Sequence, residues 1–187
     1  NLFISHTDLI NHMNGGGLKT MYEIEEISWK EIKKVWEQHL WPEKKGGVKP
    51  TNNWKLTLTP YSFTTIIKEG ENPIKTNPYF FGIRVGGELV CVNSCFMTSS
   101  SHPFSYKEDS YWRSRGLWTS PNHRRKGLSF KILTHTAEFV SKHDATWLWT
   151  VPRESALPAY EKVGFVKKSD WFDDGQYGPN CIASKYL

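Results

Sequence analysis

Three adjacent cations stand directly before a glycine and a segment of helical periodicity. Residues 124–126 read Arg-Arg-Lys, Gly127 follows, and the apolar residues after it recur at three- and four-residue steps, the period of an α-helix. The first N–H groups of a helix have no partner within it and carry a positive partial charge. Because Gly127 has no Cβ, an anion can approach the backbone closely there. The pattern therefore predicts a phosphate-binding turn at a helix N-terminus.

A second, shorter helical segment carries Tyr160. Ser155 is suited to its N-cap, Pro158 is tolerated in a first turn, and Gly164 is placed to end the helix. A phenol ordinarily has a pKa of about 10, so it keeps its proton at neutral pH and can act as a general acid. The structural alternative is a core tyrosine on an amphipathic helix.

Each of these helical segments follows an apolar run with strand character. Residues 116–119 end one strand, because the Ser-Pro-Asn sequence at 120–122 has turn chemistry. Residues 146–151 (TWLWTV) form a run suited to a buried strand parallel to the first. The order strand, helix, strand, helix places the basic turn between two parallel strands.

The rest of the chain predicts a mixed α/β fold, a mostly antiparallel sheet flanked by helices in one domain. Ser28 and Glu31 have capping-box spacing, which begins a helix that stops before Pro42. The other predicted strands are 22–27, the hairpin arms 79–85 and 88–97, a segment from 104 to 119, and 165–172 and 181–187. Residues 54–68 mix the helical period with the two-residue period of a strand. The predicted order of elements is therefore β-α-(α)-β-β-β-α-β-α-β-β, where the helix in parentheses is the uncertain assignment of this segment. Residues 1–20 are predicted to be a flexible leader or extension, without a signal peptide, before a domain at 21–187.

Composition narrows the class of protein. The 187 residues carry a net charge of +5 and a pI near 9.0, a balance that suits a polyanionic partner. Three cysteines without Cys-x-x-Cys spacing predict free thiols and a cytoplasmic location. The seven histidines lack the spacing of a zinc site, so no metal is predicted. No run approaches the roughly 18 apolar residues of a membrane span, so no membrane partner is predicted.

The basic turn and the Tyr160 helix match two signatures of the GNAT superfamily of N-acetyltransferases, in the order in which that family carries them. The turn resembles the acyl-CoA signature Gln/Arg-x-x-Gly-x-Gly/Ala at Arg124, Gly127 and Ser129, with serine in the last position. The helix resembles the signature Ala-x-x-x-Tyr-x-x-x-Gly-Phe at Ala156, Tyr160, Gly164 and Phe165. The resemblance extends from residue 79 to the C-terminus and, more weakly, over residues 21–42.

This resemblance implies a GNAT-like sheet whose two central parallel strands splay apart. It implies transfer of an acetyl group from acetyl-CoA to a primary amine within a ternary complex, with Tyr160 as the general acid for the departing sulfur. The residues that it implies for acetyl-CoA binding are Leu117, Trp118, Thr119, Arg124, Arg125, Lys126, Gly127, Leu128, Ser129 and Arg153. Arg153 stands where many members carry asparagine, so the usual asparagine contact with the cofactor arm is not expected there, although an arginine could reach a phosphate instead.

Several assignments stay open from the sequence. The general base is Glu108, Asp109, His123 or a water chain. Arg113 and Arg115 share one strand face, where they either bind an anionic acceptor or are paired or solvated edge charges. The alternative functions are a non-catalytic acyl-CoA sensor and, against the two ordered signatures, a nucleic-acid-binding module that stacks bases on Trp147, Trp149 and Trp171. The acceptor, the acyl length and the choice between monomer and homodimer are also open.

Overall fold

The chain folds into a central sheet with helices on both faces. The structure is a computed structural model, and it describes residues 21–52, 54–59, 62–69, 76–99, 110–173 and 178–187. The strands are β1 (Ile24–Glu26), β2 (Trp54–Thr59), β3 (Ser62–Glu69), β4 (Tyr79–Val85), β5 (Glu88–Ser99), β6 (Tyr111–Thr119), β7 (Trp147–Thr150), β8 (Val166–Lys167), β9 (Phe172–Asp173), β10 (Pro179–Asn180) and β11 (Ala183–Tyr186). The helices are α1 (Trp29–Val35), α2 (Leu128–Ser141) and α3 (Leu157–Glu161), with a π-helical turn at Trp36–Leu40 and 3-10 turns at Pro42–Lys44 and Pro121–His123. The predicted leader at 1–20 lies outside the described residues.

Seven strands form the main sheet, in the order β1-β4-β5-β6-β7-β11-β8. Neighbouring strands are antiparallel except β6 and β7, which are parallel and connected by α2. This confirms the predicted mixed, mostly antiparallel sheet with a central parallel pair. The division into a leader and a domain at 21–187 stays a prediction.

Two predicted elements differ from the observed ones. The optional second helix is instead an antiparallel hairpin, β2 paired with β3, in agreement with the β-branched threonines and isoleucines of that segment. The predicted strand at 165–172 is interrupted between β8 and β9. There the Ser169 hydroxyl accepts from the Ile182 N–H at 2.8 Å and donates to the Asp170 carbonyl at 2.9 Å. A side chain bonded to the backbone in this way competes with the strand ladder.

The start of α3 is also different from the prediction. Its N-cap is Ala156, without a side-chain cap, and not Ser155. The carbonyl of Arg153 accepts from the N–H groups of Ala156 and Leu157, at 2.9 and 3.1 Å, so a turn of the chain begins the helix. Pro158 does lie in the first turn, as predicted.

The sheet separates two apolar clusters. On one face, α2 packs Leu128, Ile132, Leu133, Ala137 and Val140 onto strands β4 to β7. On the other face, α1 and the π-helical turn pack Ile32, Val35 and Trp36 against Phe80 and Val92. The predicted capping box holds the start of α1, with Ser28 and Glu31 bonded reciprocally. The two faces are called the α2 face and the α1 face below.

Candidate active site

Strands β6 and β7 pair over a short distance and then diverge. Their ladder covers Tyr111↔Trp147, Trp112↔Leu148 and Arg113↔Trp149. One residue further along, the Thr150 hydroxyl donates to the Ser114 carbonyl at 3.0 Å, so a side chain replaces the ladder there. Beyond this point a cavity of about 850 Å³ lies between β6 and the chain that follows β7.

A β-bulge interrupts β6 where the strands diverge. Trp118 pairs with Val92 and Arg115 pairs with Ser94, so Gly116 and Leu117 together face the single residue Asn93 of β5. Gly116 has a φ of +75°, a left-handed conformation that suits glycine. Its carbonyl accepts from the indole N–H of Trp36 at 2.9 Å. A bulge leaves its extra residue out of the ladder and bends the strand.

Tyr160 lies in the cavity wall and also in the α2-face cluster. Its side chain is 3 % exposed, and it lines the cavity together with Thr150 and Leu117. Burial raises the pKa of the phenol, while hydrogen bonding by the Thr150 and Ser114 side chains and the charge of Arg113 act in the opposite direction. The Tyr160 phenol therefore keeps its proton throughout the neutral pH range.

The second signature has a structural explanation in the end of α3. Gly164 has a φ of +95°, and its N–H donates to the Glu161 carbonyl at 3.0 Å while the Phe165 N–H donates to the Tyr160 carbonyl at 3.2 Å. This is the Schellman pattern. Its usual apolar contact is made by the rings of Tyr160 and Phe165, whose centroids are 5.1 Å apart and nearly perpendicular. The Tyr-x-x-x-Gly-Phe spacing thus fixes Tyr160 at the cavity wall.

The basic turn leads into the start of α2 without a side-chain cap. Gly127 is the N-cap, with φ and ψ of 73° and 16°, and no side chain accepts from the first turn. Arg125 also has a left-handed φ, 60°, which is uncommon and costly for a residue other than glycine. A Cβ added at Gly127 would meet nothing within 4 Å. The first turn of α2 thus has no side-chain cap, and the space beside Gly127 is open, which fits a phosphate group.

The end of β6 is tied to this helix N-terminus by side chains. Thr119 Oγ1 and Ser129 Oγ are 3.0 Å apart, and Cys91 Sγ lies 3.4 Å from the same threonine oxygen. Leu128 is buried beneath the turn, whereas Arg124, Arg125 and Lys126 are exposed. The predicted phosphate-binding residues are thus brought together at one end of β6.

The other predicted residues divide between two places. Leu117 lines the cavity, whereas the Trp118 ring is stacked on His39 with centroids 4.5 Å apart. Arg153 also lines the cavity, with Nη2 3.5 Å from the Leu40 carbonyl. The structure thus places Arg153 in the lining of the cavity that Tyr160 also lines, and its phosphate contact stays a prediction.

Arg113 and Arg115 are not edge charges. Both belong to a central strand, are 6 % and 8 % exposed, and line the cavity that contains Tyr160. The interpretation as solvated edge charges is wrong, because β6 is a central strand and both side chains are buried. Trp149 is also fully buried, which removes it as a platform for stacking bases.

The structure leaves the general base unassigned. Glu108 and Asp109 lie outside the described residues. His123 does not line the cavity, and its buried Nδ1 has no hydrogen-bond partner in the described part of the chain. Among the cavity-lining residues that the structure describes, there is no carboxylate and no histidine. The water-chain alternative remains compatible with this lining.

The described residues contain no cluster of three or more His, Cys, Asp or Glu side chains that could hold a metal ion. None of their helices is long and apolar enough to cross a membrane.

Sequence comparison identifies the family. Residues 21–165 match the acetyltransferase (GNAT) family. The chain belongs to the GNAT family. No curated protein matches its sequence significantly. Membership supports acyl-CoA binding and acyl-CoA N-acyltransferase activity in general, and it confirms the resemblance found in the two signatures.

Solved structures of other acyltransferases share the GNAT fold. The IAA acetyltransferase from Bacillus cereus has a TM-score of 0.56 and 14% identity, covering 89% of this chain and 100% of that chain. FeeM, an N-acyl amino acid synthase from uncultured soil microbes, has a TM-score of 0.59 and 10% identity, covering 91% and 93%. The ribosomal-protein alanine N-acetyltransferase from Escherichia coli has a TM-score of 0.52 and 15% identity, covering 89% and 94%. At these identities the likeness shows the fold alone.

A buried polar network in this GNAT-family site was not predicted. Asn93 Nδ2 donates to Ser114 Oγ and to Thr136 Oγ1, each at 3.0 Å, and Thr136 donates to the Ile132 carbonyl. The network connects β5, β6 and α2 beneath Tyr160. Polar residues at strand positions between apolar ones, such as Asn93 in the run VCVNSCF, are the signal that could have indicated it.

Proposed function

We propose that this protein transfers an acetyl group from acetyl-CoA to a primary amine, directly within a ternary complex. The amine nitrogen bonds to the acyl carbon, the carbon–sulfur bond breaks, the amine loses a proton and the sulfur gains one. The observation that carries the proposal is the position of Tyr160, a buried phenol in the cavity where β6 and β7 diverge.

The basic turn is proposed to hold the pyrophosphate of the donor. The uncapped N–H groups of α2 and the open space at Gly127 support this role. The exposed cations at 124–126 would add charge-assisted hydrogen bonds. The left-handed Arg125 is consistent with a functional turn, since such conformations cluster at ligand sites.

The bulge at Gly116 and Leu117 is proposed to supply the donor for the thioester carbonyl. We take the Leu117 N–H as this donor, because Leu117 belongs to the bulge that interrupts the ladder and also lines the cavity. An N–H fixed in the backbone needs no reorganisation to stabilise developing negative charge.

Tyr160 is proposed to donate its hydroxyl proton to the departing sulfur. Burial raises its pKa, so the donor form is the populated form at neutral pH. The Tyr160–Phe165 ring contact and the turn at Gly164 hold the phenol in place. The cytoplasmic location is also kept as a proposal, supported by three cysteines that are all free and buried.

A non-catalytic acyl-CoA sensor is a second candidate function. It is favoured by one observation, the lack of a carboxylate or histidine among the described residues that line the cavity. A sensor would keep the basic turn and bind acetyl-CoA without turnover.

The test compares Tyr160→Phe with the wild-type protein, after a screen of primary amines with acetyl-CoA has given an acceptor. The variant keeps the ring and its contact with Phe165, so kcat is expected to fall by about 10² or more, the scale of general acid catalysis. Acetyl-CoA affinity should change by less than about 1 kcal/mol. Tyr186→Phe is the matched control, because Tyr186 is 67% exposed.

The outcomes separate the candidates. An unchanged kcat, with chemistry limiting the rate and melting curves intact, would make Tyr160 structural only. Binding of acetyl-CoA without thiol release for any amine in the screen would favour the sensor.

A further inference from the structure

The cavity that contains Tyr160 is lined by positive charge. Its described lining includes the cations Lys44, Lys49, Arg113, Arg115 and Arg153. Among the residues that the structure describes, no aspartate or glutamate lines this cavity. A wall of one sign focuses the field inside a cavity and favours a ligand of the opposite sign.

Arg113 is held rigidly in this wall. Its guanidinium lies over the Trp149 ring, 4.9 Å from the centroid. That ring is fixed in turn, because its N–H donates to Thr98 Oγ1 at 2.9 Å and Thr98 donates to the Tyr111 carbonyl at 2.9 Å. Burial lowers the pKa of Arg113 to about 10, with the charge of Tyr160 acting in the opposite direction. The guanidinium is thus desolvated, and an anion in the cavity would stabilise its charged form.

Arg115 is fixed on the same wall. Its guanidinium lies over two indole rings, 4.5 Å from the Trp41 centroid and 5.2 Å from that of Trp36. Nη1 donates to the Lys49 carbonyl at 2.8 Å. Burial and stacking on indole rings restrict both arginines before a ligand binds, so binding a ligand would cost little further side-chain entropy.

We infer that the acceptor amine carries a carboxylate, and that Arg113 and Arg115 bind this carboxylate beside Tyr160. The inference rests on the proposed transferase function and narrows its acceptor to amino acids and related amino-carboxylates. A planar guanidinium matches a carboxylate with two parallel hydrogen bonds. A polyamine or an aminoglycoside would instead bring further positive charge against five cations, which disfavours it.

The first experiment uses the wild-type protein and matched acceptors. Free L-amino acids, their amides and their decarboxylated amines are compared as acceptors for acetyl-CoA, with thiol release as the readout. The kcat/KM of each acid should exceed that of its amide by about 10² or more, the scale of losing charge-assisted hydrogen bonds to a buried partner. Phosphoethanolamine is included as an acceptor that carries a phosphate in place of the carboxylate.

The second experiment changes the wall. Arg113→Gln and Arg115→Gln should each reduce the ratio of kcat/KM between acid and amide at least tenfold, mainly through the KM of the acid. Arg84→Gln is the matched control, since Arg84 forms exposed ion pairs with Glu25 and Glu31 away from the cavity, and it should keep the wild-type ratio. If a variant does not fold, the ratio of kcat/KM between acid and amide for the wild-type protein still tests the inference.

Each outcome bears on one hypothesis. Equal kcat/KM for acids and amides, or preference for phosphoethanolamine or cationic amines, overturns the inference and leaves the transferase function intact. If no acceptor releases thiol although acetyl-CoA binds, the transferase function fails, and binding of the acid–amide pairs is measured by calorimetry with CoA present. Preference for the acids then supports the carboxylate site, and its absence overturns it.

Discussion

Replacing Gly116 by alanine tests how the bulge in β6 is built. Gly116 has a φ of +75°, and a Cβ there would lie under 3.0 Å from three atoms of the Trp36 ring, Cε2, Cζ2 and Nε1. Trp36 is fully buried and is bonded to the Gly116 carbonyl through its indole N–H. The ring is fixed by its surroundings, so it cannot move aside without disturbing the α1 face.

The expected loss has two parts. A left-handed conformation costs alanine about 1–2 kcal/mol relative to glycine. Overpacking a buried site costs about 1–3 kcal/mol more. Gly116→Ala should therefore lower the free energy of unfolding by about 2–5 kcal/mol, which for a chain of this length lowers Tm by roughly 5–15 °C. Denaturant unfolding and calorimetry measure the two quantities.

Gly87→Ala separates the two parts. Gly87, in the turn between β4 and β5, has a φ of +83°, and a Cβ there would meet nothing within 4 Å. Gly87→Ala should therefore lower the free energy of unfolding only by the cost of the left-handed conformation, about 1–2 kcal/mol. If Gly116→Ala is no more destabilising than Gly87→Ala, the close approach of Trp36 does not hold the bulge and the reasoning is wrong.

Three other predictions concern the basic turn, the α1 cap and the thiols. Gly127→Glu should abolish CoA binding by calorimetry, since it places bulk and negative charge where a pyrophosphate must approach; unchanged affinity in a folded variant would refute that placement. Ser28→Ala should lower the free energy of unfolding by about 1 kcal/mol at neutral pH. Part of this loss depends on pH. The Ser28 backbone N–H and hydroxyl both donate to the Glu31 carboxylate and lower its folded-state pKa. The share of the hydroxyl is therefore present above the unfolded pKa of Glu31 and disappears as pH falls through the folded one, so an equal loss at about pH 2 would contradict it. All three cysteines should resist thiol reagents at about pH 8 until the protein unfolds. The reason is that burial raises the pKa of each thiol, that of Cys91 to about 11. Rapid labelling of the folded protein would count against this prediction.

Local patterns in the sequence were enough to predict the strands and helices that frame the site. The capping box, the Gly86-Gly87 hairpin and the helix after Gly127 all form as predicted. Each depends on residues close together in the chain, where turn chemistry and periodicity act directly. Which residues line the cavity could not be predicted from such local patterns. Arg115 meets Trp36 and Trp41 only because α1 and its π-helical turn pack across β6, a contact between segments about 75 residues apart.

The bulge explains why periodicity also failed along β6 itself. Strict alternation would place Thr119 on the same face as Arg113 and Arg115. Instead, Arg113 and Arg115 line the cavity on the α1 face, whereas Thr119 contacts Ser129 at the start of α2. One extra residue at Gly116 reverses the alternation, just as a one-residue slip moves a side chain to the opposite face.

This reversal links the two halves of the proposed site. Without the bulge, the threonine that anchors the basic turn would point to the α1 face, and a strand carrying both arginines could not also hold the N-terminus of α2. Gly116→Ala should therefore weaken CoA binding more than Gly87→Ala does, even at a temperature where both variants are folded. Equal CoA affinities for the two folded variants would show that the basic turn is positioned independently of the bulge.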